Sequence, residues 1–586
     1  MRNAAHGSCR LASKQNTAPP HAQKQDPMNL KPALCLGLLV GACGAALAAE
    51  NTSPMRRAVE AALATWPVER TETAKAAELS TLLAGVDAAW LHSADGRDFA
   101  YVKAVVDARL TPDGTLRDAP ADPLGAAALG RQLLLVYGVT QEAHYAQAAK
   151  RLFDAGLPGS NADPVDRARA LPFFAEYAAR FRQPEVFAGI AQQFAQLEGA
   201  RGHGTRMAAL ADTLRFIPTG DKTHSLLADE LEREAAAAVH GLDRATGLWL
   251  KTWNRHSGPD PAESALRIYA LAESVREGIL PVADLAIARR AFASLTPRML
   301  PNATAGAPPS STIEETGAYL LASAAMEHAD EATLGLGATV LMDGWFNHQF
   351  RPDAFGTPVL FHYKWNDDSD AGFSLVGHIF RSLGAKTAVL AETPTAANLA
   401  GAQIYFIVSP NNPSKNPQPN YMDAASADAI EAWVKAGGVL VLLENDPANA
   451  DLDHMNLLAD RFGLHFNSVL RKHVVGTEWA MGKVDVRGGG PIFRNAHTFY
   501  IKDVCTITPT APAAPLVSEG GDVFMATAHA GKGTVFAAVD PWLYNEYTDG
   551  RKLPPAYDNF AGAEELARWL LQQVPHAKSA QSSRRR

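Results

Sequence analysis

Ala262-Glu-Ser-Ala-Leu-Arg-Ile-Tyr-Ala-Leu-Ala-Glu-Ser-Val-Arg-Glu-Gly-Ile-Leu280 places Ala265, Ile268, Ala272, Val275 and Ile279 three and four residues apart. That spacing puts five apolar side chains on one face of a helix. Ala318, Leu321, Ala322 and Ala325 repeat the pattern within residues 316–326. Turn signals separate such segments at Pro112-Asp-Gly114, Leu157-Pro-Gly159, Pro218-Thr-Gly220 and Asp243-Arg-Ala-Thr-Gly247. Residues 55–332 therefore read as an all-helical domain of about ten helices joined by short turns. Stacked hairpins close into a toroid or extend as a solenoid, and the lack of a fixed-period repeat favours the toroid.

From about 337 the period changes. Residues 338–343, 386–392, 404–410, 438–445 and 533–540 are short apolar runs, separated by amphipathic segments such as Gly372-Phe-Ser-Leu-Val-Gly-His-Ile-Phe-Arg-Ser-Leu-Gly384. Strand alternating with helix predicts an α/β domain over 337–575 built on a doubly wound, mostly parallel sheet. The Asn- and Pro-rich loop 410–419 follows one of these strands, on the edge where such sheets bind ligands.

The chain has 586 residues, of which 47% are hydrophobic and 20% charged, with a net charge of −8. That is enough chain for several full cores. It carries no basic patch of the kind that binds nucleic acid. Residues 1–27 are polar and patternless and read as an extension upstream of a start at Met28. Residues 28–48 read as a signal peptide, with a charged start, an apolar Ala33–Leu47 stretch too short to span a membrane, and an Ala46-Leu-Ala48 cleavage site. The expected destination is the periplasm or the medium. The alternative is a lipoprotein anchored at Cys43, within Val40-Gly-Ala-Cys43. Cys9, Cys35 and Cys43 lie in or before that signal, so Cys505 alone belongs to the mature body and no internal disulfide is expected. Residues 576–586 read as a disordered tail.

Several segments of the helical half, in order, resemble the unsaturated glucuronyl and rhamnogalacturonyl hydrolases of glycoside hydrolase families 88 and 105. They are Gly130-Arg-Gln-Leu-Leu-Leu-Val-Tyr137, Asp243–Trp249 with Ala262–Ala272, and Glu315-Thr-Gly-Ala-Tyr-Leu-Leu321. The resemblance implies an (α/α)6 toroid, a cleft for a short acidic oligosaccharide, no cofactor, and hydration of a C4–C5 double bond by a carboxyl group of raised pKa. It implies Asp166 as that carboxyl, just before Pro172-Phe173, with Asp122 as a second acid. His203 and Arg206, in Arg201-Gly-His-Gly-Thr-Arg206, and Trp249 would bind substrate. The sequence also departs from the family here. The family's Trp just ahead of the catalytic Asp is missing, Arg167 and Arg169 stand where the family is usually apolar or aromatic, and Asp163-Pro164 is a favourable helix cap that puts Asp166 in the first turn.

The second half resembles the glutamine-amidotransferase-like, flavodoxin-type domain attached to some family-105 proteins. The matching loops are Phe361–Phe373 and Asp540–Pro554. Such chemistry needs a Cys at a strand-to-helix elbow. Glu444-Asn-Asp446 follows the relevant strand and Cys505 lies elsewhere, so that activity is not expected. The two loops together would present His362, Tyr363, Trp365, Trp542, Tyr544 and Arg551 to a uronic sugar, or else pack on the helical half. His362, Asp367, Asp368, Asp370 and His378 form a mixed cluster suited to capping and solvation, and no metal is expected.

Two functional readings follow. One is an exported hydrolase of unsaturated uronic-acid oligosaccharides, of rhamnogalacturonan type. The other is a degenerate pseudo-enzyme that binds an acidic saccharide or a partner without turnover. Catalysis by the second half on another substrate is a third.

Overall fold

A computed structural model describes residues 53–251, 257–300 and 311–575. The upstream extension, the signal peptide, Cys43 and the expected tail lie outside the described residues. The residues from Ser53 onward form one compact unit. No helix among the described residues is long and apolar enough to cross a membrane.

The helical half is a closed ring of helix pairs, compatible with the toroid expected from sequence. Six helices form the inner ring in chain order: α3 (Ala76–Ser93), α5 (Pro123–Thr140), α7 (Pro164–Arg180), α9 (His203–Leu214), α11 (Pro261–Arg276) and α13 (Ile313–Glu327), with α13 packed back onto α3. An outer helix backs each one: α4 (Gly96–Arg109), α6 (Ala143–Asp154), α8 (Val186–Gln196), α10 (Lys222–Gly241), α12 (Val282–Met299) and, behind α13, the N-terminal α1 (Pro54–Thr65). The short α2 (Val68–Thr71) packs on α4.

The sequence marks the helix starts clearly. Asp122-Pro123, Asp163-Pro164 and Asp260-Pro261 each supply a capping carboxylate followed by a proline whose missing N–H costs nothing in the first turn. Ring closure depends on small residues. A Cβ on Gly85 of α3 would lie 2.6 Å from the carbonyl oxygen of Gly317, and one on Gly317 would strike the backbone of Leu82. The first and last inner helices therefore touch backbone to backbone.

The second half carries a nine-stranded sheet in the order β4-β1-β5-β6-β13-β12-β10-β7, with β11 on the far side of β12. The strands are β1 (Thr339–Asp343), β4 (Lys386–Leu390), β5 (Ile404–Val408), β6 (Val439–Leu443), β7 (Leu464–Arg471), β10 (Val504–Pro509), β11 (Ala514–Glu519), β12 (Asp522–Ala530) and β13 (Gly533–Ala538). Two hairpins, β2 (Gln349–Pro352) with β3 (Pro358–Phe361) and β8 (Lys483–Val486) with β9 (His497–Tyr500), stand outside it. The sheet is mixed, which corrects the expectation of a mostly parallel one. The five strands from β4 to β13 are parallel, while β7, β10, β11 and β12 extend the sheet antiparallel. Helices α14 (Ser374–Ser382), α15 (Ala396–Leu399), α16 (Ala424–Ala436), α17 (Leu452–Ala459), α18 (Asn545–Thr548) and α19 (Asn559–Gln573) connect and cover it. Cys505 sits fully buried on β10.

Because inner and outer helices alternate, all inner N-termini share one rim. The sheet half docks on the other rim. There the Trp90 indole donates to the Asp549 carbonyl at 2.9 Å, Arg180 pairs with Asp368 at 2.8 Å, and the Arg551 guanidinium lies 5.4 Å from the Phe99 ring centre. Above this junction the lumen is polar. Arg131 pairs with Glu176 at 3.2 Å and Asp212 at 2.5 Å, and burial pushes the carboxyl of Asp87 up to about 7 against the pull of Arg131. At the junction itself, the His92 and His378 Nε2 atoms meet at 3.3 Å, with the His328 ring centre 5.4 Å from that of His92.

Burial, then the neighbouring imidazole (His328 for His92, and His92 for His378), holds both histidines well below the usual histidine range. The unfolded chain therefore takes up protons first as the pH falls through about 6.5, and the junction loses stability below that point. Urea denaturation from pH 7 to pH 5 is expected to show a steeper loss for the wild type than for a His92→Gln, His378→Gln double variant. That comparison separates the histidines from Asp87, whose raised pKa acts with the opposite sign. Parallel profiles would contradict the assignment.

Candidate active site at the ring mouth

The mouth is the rim of inner N-termini. At the start of α7, Asp163 is the cap: its carboxylate accepts from the Val165 N–H at 2.9 Å, and its other oxygen pairs with Arg201. Asp166 lies in the first turn with its side chain 40% exposed, and Arg169 reaches it from one turn further on at 3.3 Å. Arg169 also pairs with Glu314 at the start of α13. Helices α7 and α13 are the third and sixth of the ring and stand opposite one another. The Arg169–Glu314 pair thus crosses the lumen, forming a floor to the mouth.

Burial and neighbouring acids raise both the Asp166 and Glu314 carboxyl groups here, against the pull of Arg169. Burial raises Asp166, with Asp163 and Asp122 adding to the effect and Arg169 opposing it. Burial likewise raises Glu314, reinforced by Glu78, Glu263 and Asp260 and opposed by Arg169. A ring of carboxylates around one shared guanidinium is an arrangement that can hold a proton on one acid while another stays ionised.

The remaining expected residues are placed as follows. Asp122 caps α5, its carboxylate accepting from the Gly125 N–H at 2.9 Å. His203 stays near the rim with Nδ1 3.1 Å from Glu234. Arg206 does not reach a ligand: it is buried between Glu230 and Glu234 and welds α9 to α10. Trp249 is also internal, with its indole N–H donating to the Ala238 carbonyl at 2.8 Å. Glu263 caps the neighbouring helix, accepting from the Gly204 N–H at 2.7 Å.

In the second half, the two aromatic loops do come together. The rings of Tyr363 and Tyr544 are 5.8 Å apart, and the Asn545 amide donates to the Asp367 and Ser369 carbonyls. They do not form the expected uronate-binding face. Trp365 and Trp542 are core residues, and Arg551 is held by Asp549 and Asp370 while it lies on the helical half. His362 is driven down to about 3 by burial and sits 3.0 Å from the Gln349 amide. The mixed acid cluster is dispersed, with Asp367 on Arg351, Asp368 on Arg180, Asp370 on Arg551 and Lys552, and His378 on His92. Among the described residues, no group of three or more His, Cys, Asp or Glu side chains is arranged to hold a metal ion.

Sequence reasoning missed Glu314 and the bridging role of Arg169. A signal for the first was present. Thr312 and Glu315 form a capping box, which commits Glu315 to the helix end and leaves its neighbour Glu314 for the lumen.

Residues 178–308 match the family model of Glycosyl Hydrolase Family 88, a stretch that begins after Asp166 and takes in Arg201, His203 and Glu263. None of the curated proteins compared matches the chain. Among solved structures, a glycoside hydrolase from family 105 of C. acetobutylicum ATCC 824 is similar at 17% identity and TM-score 0.41, covering 47% of this chain and 99% of its own. A glycosyl hydrolase of family 88 from Bacteroides vulgatus is similar at 13% identity and TM-score 0.40, covering 47% and 99%. An mmIFT52 N-terminal domain is similar at 16% identity and TM-score 0.32, covering 41% and 100%.

The cap and the partly buried acid make different contributions to stability. Asp163→Ala is expected to cost about 1 kcal/mol in chemical denaturation at pH 7, the usual worth of an N-cap. Asp166→Ala is expected to cost less, since it removes a carboxyl that burial already disfavours. Equal losses would refute the division of roles.

Proposed function

We propose that this chain is an exported glycoside hydrolase of the unsaturated uronyl type, acting at the ring mouth on short acidic oligosaccharides left by a polysaccharide lyase. The observation that carries this reading is the Asp166–Arg169–Glu314 set across the lumen. The family-88 match over residues 178–308 supports it.

In this reading Asp166, whose carboxyl burial raises above the usual carboxylate range, gives its proton to C4 of the double bond. The resulting carboxylate then takes a proton from water as the oxygen bonds to C5. The hemiketal so formed opens and releases the sugar. Arg169 is the cation at the floor of the mouth, placed to exchange a Glu314 oxygen for the carboxylate of the uronic ring. Asp166 is the catalytic acid and base, and Glu314 is a positioning residue that sets the charge around Arg169.

A second reading has its own observation. Arg169 already pairs with two carboxylates and the family's Trp just ahead of the catalytic Asp is missing, which suits a site that binds an acidic saccharide without turning it over.

Incubation with lyase-generated oligosaccharides is expected to abolish their ultraviolet absorbance. Asp166→Asn should lower kcat/KM by roughly 100- to 10,000-fold, the range for a lost general acid–base group. Arg169→Met removes the charge that opposes proton retention on Asp166, so the alkaline limb of kcat/KM in the residual activity should move to higher pH. Unchanged absorbance with several uronide types, alongside calorimetric binding, would replace the first reading with the second. Neither turnover nor binding would dismiss both.

A further inference from the structure

On the outside of the ring, a recess of about 380 Å³ opens between α4, α6 and the turn that leads from α4 towards α5. His144, Gln147 and Arg151 stand three and four residues apart on α6, share one face of it and form one wall. Asp107 of α4 and turn residues 110–114 form the other. The turn holds its shape through its own bonds. Gly114 has a φ of 74°, its N–H donates to the Thr111 carbonyl at 2.8 Å, and the Thr111 N–H donates to the Thr115 carbonyl at 2.9 Å. Leu116, just beyond, is buried in the core and anchors the far side.

The polar groups of the recess are unevenly supplied. Arg151 pins the turn through one nitrogen, Nη1, which donates to the Asp113 carbonyl at 2.7 Å and to the Thr115 hydroxyl at 3.3 Å. Among the described residues, Nη2 and Nε of Arg151 and the side-chain amide of Gln147 have no hydrogen-bond partner. The two carboxylates, by contrast, are held by their neighbours. Asp107 accepts from the Tyr145 hydroxyl at 2.5 Å and from Lys103 at 2.8 Å, and Asp113 accepts from the hydroxyls of Thr111 and Thr115. Lys103 and Arg151 balance Asp107 and Asp113, so the walls favour neither sign of ion.

We infer that this recess is a second binding site, separate from the ring mouth, for a neutral sugar of about hexose size. Its volume lies at the small end of the roughly 300–1,000 Å³ typical of ligand sites. Sugar hydroxyls both donate and accept. They take hydrogen bonds from Arg151 and Gln147, and give them to the Gln147 carbonyl and to the remaining lone pairs of Asp107 and Asp113. The C–H face of the ring lies on Leu110 and Pro112, which supply the apolar part of the wall. An anion would meet Asp107 and Asp113, and a cation would meet Arg151. His144, Gln147 and Arg151 are exposed, so the ligand displaces water from them and the affinity is modest. No wall of the recess belongs to the Asp166–Arg169–Glu314 set, and the site does not rest on the hydrolase reading.

The test is calorimetry on the full chain with galactose, glucose and rhamnose as neutral sugars, galacturonate as an anion and methylamine as a cation. At least one neutral sugar is expected to saturate with a millimolar Kd. Gln147→Ala should weaken it by roughly 3- to 10-fold, the range for one lost hydrogen bond. Gln147→Trp fills the recess and should abolish binding. Position 147 is exposed on its helix, and thermal melts identify either variant if it fails to fold, leaving the other to decide. Asp166→Asn should bind the sugar as the wild type does, so failure of the hydrolase reading leaves this one standing. No saturation by any of the three sugars, binding of galacturonate or methylamine alone, or binding lost in Asp166→Asn and kept in the Gln147 variants would each overturn it.

Discussion

Two glycines hold the helical half shut. Gly85 on the first inner helix and Gly317 on the last leave no room for a Cβ between the two backbones. A ring of six inner helices has one seam that chain connectivity does not provide, because its partners lie at opposite ends of the domain. Close approach there lets Leu82, Leu320 and their neighbours interlock in the core and fixes the diameter of the lumen. A methyl group inserted at such a contact typically costs 1–3 kcal/mol through displaced backbone. The Arg169–Glu314 bridge depends on this dimension, since it links helices that face one another across the same opening.

The two ends of the ring are chemically unlike. The N-terminal rim is open, acidic and crossed by a single guanidinium. The C-terminal rim is roofed by the sheet half through Trp90, Arg180, His92 and the loop around Arg551. The aromatic loops that read from sequence as a sugar-binding face are divided between these tasks. Arg551 docks onto the ring, Trp365 and Trp542 fill the sheet core, and Tyr363 and Tyr544 remain at the carboxyl edge. Burying a charged group unpaired is costly, and Arg551 accordingly carries two carboxylates with it into the junction.

Legibility followed burial symmetry. The central parallel strands are continuous apolar runs buried on both faces, such as Ile404–Val408 and Val439–Leu443, and their positions are plain in the sequence. The antiparallel strands β7 and β11 are edge-like, with exposed residues throughout, and periodicity alone did not reveal them. Helix starts were equally clear, and Asp163-Pro164 was read correctly as a cap. The same Asp-Pro rule marks Asp122 as a cap. Arg206 and Trp249 show the limit of motif reasoning. A residue in a matching segment can face the outer helix rather than the lumen, and only the rotation of α9 or the path of the 243–249 loop decides which. The Arg169–Glu314 bridge spans 145 residues of sequence, and nothing local announces it.

The burial of Cys505 has a kinetic consequence. It is the sole cysteine among the described residues, set near the start of the antiparallel strand β10 with no solvent exposure, and burial holds its thiol well above the usual range. Among the described residues a thiol reagent therefore meets nothing to modify until the sheet itself opens. The rate of modification at low reagent concentration measures how often β10 leaves its neighbours, and at high concentration it measures how fast. The chain thus contains its own clock for the opening of the sheet half.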